Sequence, residues 1–224
     1  MTLKAIAKNF INLLYPAHCE FCKSGLAAEA QAPVCSACRA KIRVSRDIHT
    51  RSKNTAFHFT LARSACIYEG VLKELIHSFK YKGKIALAGT LSSYMIEVAA
   101  LDNELTSGIS AVTFVPSQDS LIKKRDYNHS GVLAGRIAKE FGLPLLDTLK
   151  KTHRTRPQNE LSREERLVNL KGSFGLRDKR AVAGLKILLI DDVMTTGATC
   201  DECSKVLLDG GAGEVRCLTL SRGI

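Results

Sequence analysis

Apolar positions recur along the chain in two rhythms. Residues 61–70 (LARSACIYEG) have strand character and end in a turn at Gly70. Ala111 to Val115 is a short apolar run stopped by Pro116, Lys186 to Ile190 is strongly aliphatic, and Glu214 to Leu220 closes the series. Between these runs, 71–79, 85–100, Asn128 to Phe141 and about Thr199 to Leu208 repeat apolar residues at helical spacing. Gly142 and Gly210-Gly211 suit the ends of the last two helices. Residues 1–16 predict one more helix, ended by Pro16. Strand, helix and strand over 186–220 make a βαβ unit, so the expected fold class is α/β with a parallel sheet covered on both faces.

At 224 residues the chain is one domain, or one domain with a small appendage. Hydrophobic residues make up 45% and charged residues 25%, which excludes wholesale disorder. No uncharged apolar stretch reaches the ~18 residues of a membrane helix. Lys8 interrupts the first apolar segment, which argues against a signal peptide and sets the expectation of a cytoplasmic protein without membrane insertion. The net charge is +11 and unevenly placed: residues 1–64 and 111–180 each carry +7, whereas 65–110 and 181–224 carry −1 and −2. Two basic blocks favour a phosphate-rich partner, nucleic acid or a phosphorylated small molecule, with a merely solvated surface as the alternative.

Eight cysteines divide into two kinds. Cys19-x2-Cys22-x12-Cys35-x2-Cys38 has the spacing of a tetrahedral, four-thiolate Zn2+ site. Such a closed shell is structural, and its −2 charge would bring the chain to +9. Cys200 and Cys203 share one face of a helix without a second pair nearby, which predicts a buried helix face, with redox or metal chemistry the alternative. Cys66 and Cys217 read as small core residues. The domain reading is a helix and four-cysteine module over 1–44, a basic linker over 45–60, and a larger domain over 61–224.

The stretch with most chemistry is Ile187 to Thr199. An aliphatic strand ends in Asp191 and Asp192, at the edge where open α/β sheets place ligands. A tight turn follows, Thr195-Thr196-Gly197-Ala198-Thr199, running into a helix. Backbone amides around Gly197, together with the helix N-terminus, can hold a phosphate, and the threonines add hydroxyl donors. The two aspartates would repel phosphate, so they suit sugar hydroxyls or a metal.

These thirteen residues resemble the signature of type I phosphoribosyltransferases, which bind phosphoribosyl pyrophosphate (PRPP). The resemblance implies that Asp191 and Asp192 contact ribose hydroxyls, that Thr195, Thr196, Gly197, Ala198 and Thr199 hold the 5′-phosphate, and that Mg2+ accompanies the pyrophosphate. Other landmarks extend the likeness to the ComF family of competence proteins: the four-cysteine module, Val115-Pro116, Arg125-Asp126-Tyr127-Asn128, Arg154-Thr155-x2-Gln158 and Arg166-x2-Asn169. That family commonly has Arg-Gly-Phe-Asn-Gln where this chain has Arg125-Asp126-Tyr127-Asn128-His129, so the shape of this loop departs from the pattern. The implied fold is type I phosphoribosyltransferase-like, a central parallel sheet flanked by helices, with a small N-terminal zinc-finger module.

Pro116 and Ser117 resemble the family's pyrophosphate loop. Arg125 is a candidate anion partner because a guanidinium grips two phosphate oxygens, with a plain surface charge as the alternative. Lys80 to Lys84 is a second candidate anion contact, and residues 150–172 a candidate closing loop. No residue set names an acceptor or a catalytic residue. The resemblance implies single-stranded DNA as partner during natural transformation, together with proteins of the DNA-uptake machinery. An active phosphoribosyltransferase and a PRPP-sensing regulator are the alternatives. Six aromatics (Tyr15, Phe21, Phe57, Phe59, Tyr81, Tyr127) are available for base stacking, most of them expected in the core.

Overall fold

A computed structural model describes residues 17–27, 32–45, 49–51, 57–117, 127–152, 170 and 172–223. Aliphatic runs form four strands of the sheet, β2 Leu61–Ile67, β3 Ala111–Phe114, β6 Lys186–Met194 and β7 Glu214–Arg222, and the polar β1 His49–Arg51 completes it, in the order β1-β2-β7-β6-β3. Strands β2, β7, β6 and β3 are parallel, and β1 joins the β2 edge antiparallel. A separate two-stranded antiparallel pair, β4 Leu149–Lys151 with β5 Phe174–Leu176, lies between β3 and β6 in sequence. The helices are α1 Ser36–Arg39, α2 Gly70–Tyr81, α3 Leu87–Leu101, α4 Asn103–Thr106, α5 His129–Glu140 and α6 Ala198–Asp209.

The strands alternate between two cores, because successive side chains on a strand leave opposite faces. From β6, Leu188 and Ile190 enter one core and Ile187 and Leu189 the other; from β7, Leu218 and Leu220 oppose Val215 and Cys217. The first core holds α2, α3 and α5 through Leu72, Phe79, Leu91, Met95, Leu133 and Ile137. The second holds α6 through Cys200, Cys203 and Leu207, with Leu149 and Phe174 from the small pair. Both faces are therefore covered, as the continuous apolar strands require. The buried-face reading of Cys200 and Cys203 fits this packing: burial holds the Cys203 thiol well above its ordinary range, and hydrogen bonding to Cys217 with burial does the same for Cys200.

Residues of the four-cysteine segment, Cys19, Val34, Cys38 and Ile42, belong to the first core rather than to a core of their own. Glu20 Oε1 meets Lys84 Nζ at 2.9 Å and the Tyr94 hydroxyl donates to Arg39 O at 3.4 Å. From here the chain runs along β2: Ser45 N donates to Ala65 O at 2.8 Å, Val44 bridges Cys66, and β1 follows. The stretch expected as a basic linker thus contributes an edge strand. An edge strand needs backbone partners only, so its polar composition did not reveal it. The predicted helix over 1–16 lies outside the described residues.

Candidate functional site

Strand β6 carries the site. Its aliphatic half, Ile187–Ile190, is buried, and the chain leaves the core at Asp191, which is only 8% exposed. Asp191 Oδ1 accepts from Ser130 Oγ at 3.0 Å and from the Asp192 N–H at 2.9 Å. Burial foremost, then the neighbouring Asp192 charge, pushes the Asp191 carboxyl up to about 7, against the opposing pull of Lys80 and these two hydrogen bonds. Asp192 has a different partner: Lys80 Nζ lies 2.7 Å from its Oδ1. Burial alone would lower the Lys80 ammonium, but the Asp192 carboxylate more than offsets this and the pKa goes up. The two acids are therefore not equivalent. One is buried, with its carboxyl pushed up; the other is paired with a lysine.

The turn after β6 is short. Thr195 is exposed, Thr196 half-buried, and Gly197 has φ +84° as the N-cap residue of α6. An L side chain in this region costs about 1–2 kcal/mol, and space is not the reason: the nearest atoms to a Cβ there are Phe57 ring carbons at 3.6 Å. Thr196 Oγ1 accepts from the Ala198 N–H at 3.3 Å, and the Asp201 N–H donates to Gly197 O at 2.8 Å, starting the helix. A small pocket is lined by Asp191, Thr195, Thr196, Gly197, Ala198 and Thr199, with Leu170 also on its wall. Of the sequence-predicted loop and acid positions only Asp192 is outside that lining, where it faces Lys80. A left-handed turn feeds a twelve-residue helix, an arrangement whose free first-turn amides and dipole can attract an anion.

Pro116 and Ser117 arrive at the same sheet end. The parallel register pairs Phe114 with Ile190, and the Val115 N–H donates to Ile190 O at 3.0 Å, which sets the exit of β3 level with Asp191. Asn128 Nδ2 donates to Val115 O at 3.1 Å while its Oδ1 accepts from the Gly131 N–H at 2.9 Å, so one residue caps α5 and anchors this turn. Arg125 and the segment 153–169 lie outside the described residues. Sequence reasoning missed Ser130, which no local pattern marks. Of the candidate anion segment Lys80 to Lys84, Lys80 lies against Asp192 and Lys84 against Glu20.

The four cysteines of the N-terminal segment converge. Their sulfurs all lie within 4.8 Å of one another, and Cys22 Sγ is 3.7 Å from Cys35 Sγ. A Zn2+ with Zn–S bonds of about 2.3 Å has tetrahedral S···S edges of about 3.8 Å, so the donor set fits. The Cys35 N–H donates to Cys19 Sγ at 3.4 Å, the backbone support that thiolate ligands attract. Cys19, Cys22, Cys35 and Cys38 would fill all four positions and hold structure.

Residues 128–223, which include Asn128, Ser130, the acid pair and the glycine turn, match the phosphoribosyl transferase domain model. The "Competence protein F" of Haemophilus influenzae is 30% identical over 67% of this chain and 68% of its own length. The chain belongs to the ComF family. The "DNA utilization protein YhgH" of Salmonella typhimurium extends this likeness to nearly the whole molecule, at 26% identity over 94% of this chain and 99% of that protein. The "Competence protein ComFC" of Streptococcus pneumoniae is 26% identical over 71% of this chain. Among solved structures, the glutamine PRPP amidotransferase from B. subtilis aligns at 19% identity with a TM-score of 0.38, covering 59% of this chain and about a quarter, 26%, of that chain. The ComF chain thus has a type I phosphoribosyltransferase fold with a parallel central sheet and a four-cysteine cluster near its N-terminal end. Among the described residues, no helix is long and apolar enough to cross a membrane.

Proposed function

We propose that this chain binds PRPP and handles single-stranded DNA in the cytoplasm during DNA uptake. One observation carries the ligand: in a ComF-family chain, an acid pair ends the central strand and a left-handed Gly197 leads directly into α6. Asp191 and Asp192 take the ribose hydroxyls, and Thr195, Thr196, Gly197, Ala198 and Thr199 take the 5′-phosphate. Pro116, Ser117 and Arg125 receive the pyrophosphate, where Mg2+, when bound, supplies charge neutralisation. Zn2+ on Cys19, Cys22, Cys35 and Cys38 holds the four-cysteine segment against the phosphoribosyl-binding domain. The relatives' names, DNA utilization and competence, together with the +11 charge, support nucleic acid and DNA-uptake proteins as partners.

Calorimetric titration of the zinc-loaded chain with PRPP and Mg2+ tests the ligand. Saturable binding is expected for the native chain and none for the Asp191→Ala/Asp192→Ala double variant. Absence of saturation by folded native protein overturns the reading. Pyrophosphate release in the presence of nucleobases or amines would make the protein a transferase; silence with retained binding leaves the binding role.

A further inference from the structure

Among the described residues, five large apolar side chains are exposed: Phe21, Tyr81, Ile85, Leu101 and Leu145. Three of them lie on two turns that one ion pair links. Phe21 sits on the turn between Cys19 and Cys22, and Tyr81 and Ile85 flank the turn between α2 and α3. The two turns are joined, because Glu20 Oε1 and Lys84 Nζ meet at 2.9 Å. Tyr81 is 59% exposed, and the ring of His77 lies 4.9 Å from its own, one helical turn back. Exposed lysines share these turns: Lys23 and Lys84 have side chains 69% and 47% exposed, and Lys82 is exposed as well. Across residues 17–27 and 77–86, Glu20 is the single acid, and both Lys23 and Lys84 engage it.

Exposed rings interleaved with lysines on two adjoined turns are an unusual use of aromatic surface. Burying such rings alone would suit a protein partner; the lysines between them suit a chain of phosphates. Duplex DNA offers its bases only at groove edges, whereas a single strand offers both base faces and backbone, the chemistry that rings and lysines together recognise. We propose that the surface formed by Phe21, Tyr81 and Ile85, with Lys23, Lys82 and Lys84, is the platform on which single-stranded nucleic acid stacks. This deepens the single-stranded DNA reading above and rests on it. Zn2+ on the four cysteines would give a net −2 next to Phe21 in sequence, so the phosphate contacts fall mainly to Lys82 and Lys84 on the α2–α3 turn. Two or three such contacts give a log–log salt slope of about −1.4 to −2.1 for this surface.

The test uses the full zinc-loaded chain and a fluorescent oligo-dT, with a duplex of equal length alongside, in an anisotropy titration over a salt series. Phe21→Ala and Tyr81→Ala should each weaken single-strand binding at least about fivefold, the effect of losing one stacked base. Tyr81→Phe should stay within about twofold, since the ring is kept. Lys82→Gln should reduce the salt slope by about 0.7. Leu101→Ser, at an exposed apolar side chain away from these turns, is the control. Zinc content and melting temperature separate lost binding from lost fold. If the native chain binds the single strand but both ring variants bind as well as it does, this surface is not the platform. If the native chain binds no strand, the DNA reading itself fails and takes the platform with it. Equal binding of the duplex, equally weakened by the ring variants, overturns the single strand as occupant.

Discussion

Lys80 Nζ and Asp192 Oδ1 are 2.7 Å apart, and this ion pair joins the last turn of α2 to the end of the central strand. Both side chains are largely shielded, at 21% and 14% exposure, so the pair is worth more than a surface bridge. Removing one partner leaves the other charge uncompensated. Lys80→Met should therefore destabilise the fold by about 2–4 kcal/mol in urea denaturation. It should also weaken PRPP binding, since Asp192 loses its anchor and the site loses a cation. Unchanged stability and unchanged affinity would show that Lys80 is incidental.

Asp191 gives a pH signature of unusual sign. Its folded carboxyl is pushed up to about 7 from an ordinary 3.8, chiefly by burial. The folded state then holds a proton that the unfolded chain has released, so stability falls as pH rises from about 4 to about 7. Asp191→Asn does not titrate and keeps an oxygen to accept from Ser130 and the Asp192 N–H. The variant should melt above the native chain at pH 8, with the gap closing by about pH 4. A gap independent of pH would show that Asp191 is not the group responsible.

Gly197 tests the phosphate turn by conformation alone. Its φ of +84° disfavours any L side chain, while the space around a Cβ is ordinary. Gly197→Ala should cost about 1–2 kcal/mol of stability or shift the turn to relieve it. In either case PRPP affinity should drop, whereas Gly197→Asn, which tolerates this region better, should keep more of it. Calorimetry on both variants reads the order directly.

Zinc removal should reach beyond the cysteines, because Cys19, Val34, Cys38 and Ile42 are part of the first core. Metal analysis should find one zinc per chain. Cys22→Ser/Cys35→Ser should abolish it and lower the melting temperature of the whole molecule in one transition, since structural zinc sites in small modules contribute on the order of 10 kcal/mol. A separate, early transition with an unchanged main one would show the module to be energetically independent.

Much of this was readable in the sequence where the signal is local. Ile187 to Thr199 holds strand, acids, turn and helix start in thirteen successive residues, and the cysteine spacing needs no distant partner. What was not readable depends on contacts across the chain. Ser130 reaches Asp191 over 61 positions, and Lys80 meets Asp192 only because α2 packs on the sheet. Strand β1 escaped because edge pairing asks only for backbone groups. Strands β4 and β5 flank a polar, basic stretch, and Leu149 and Phe174 are their buried anchors. Tyr81 and Phe21 look like the other aromatics in sequence; exposure separates them from Phe59, which is fully buried.

The end of α2 faces two ways. Lys80 turns inward to Asp192, and the next residue, Tyr81, turns outward to the exposed platform. A ligand that engages Asp192 competes with Lys80 and so acts on the segment bearing Tyr81 and Lys82. PRPP also brings several negative charges to that end of the sheet, which opposes a second polyanion nearby. Saturating PRPP with Mg2+ should therefore weaken oligo-dT binding, by at least about threefold, and oligo-dT must weaken PRPP by the same factor because coupling free energy is reciprocal. Paired titrations, each ligand with and without the other held at saturation, measure both factors. Equal factors greater than one identify a PRPP-responsive DNA binder; factors of one show two independent sites.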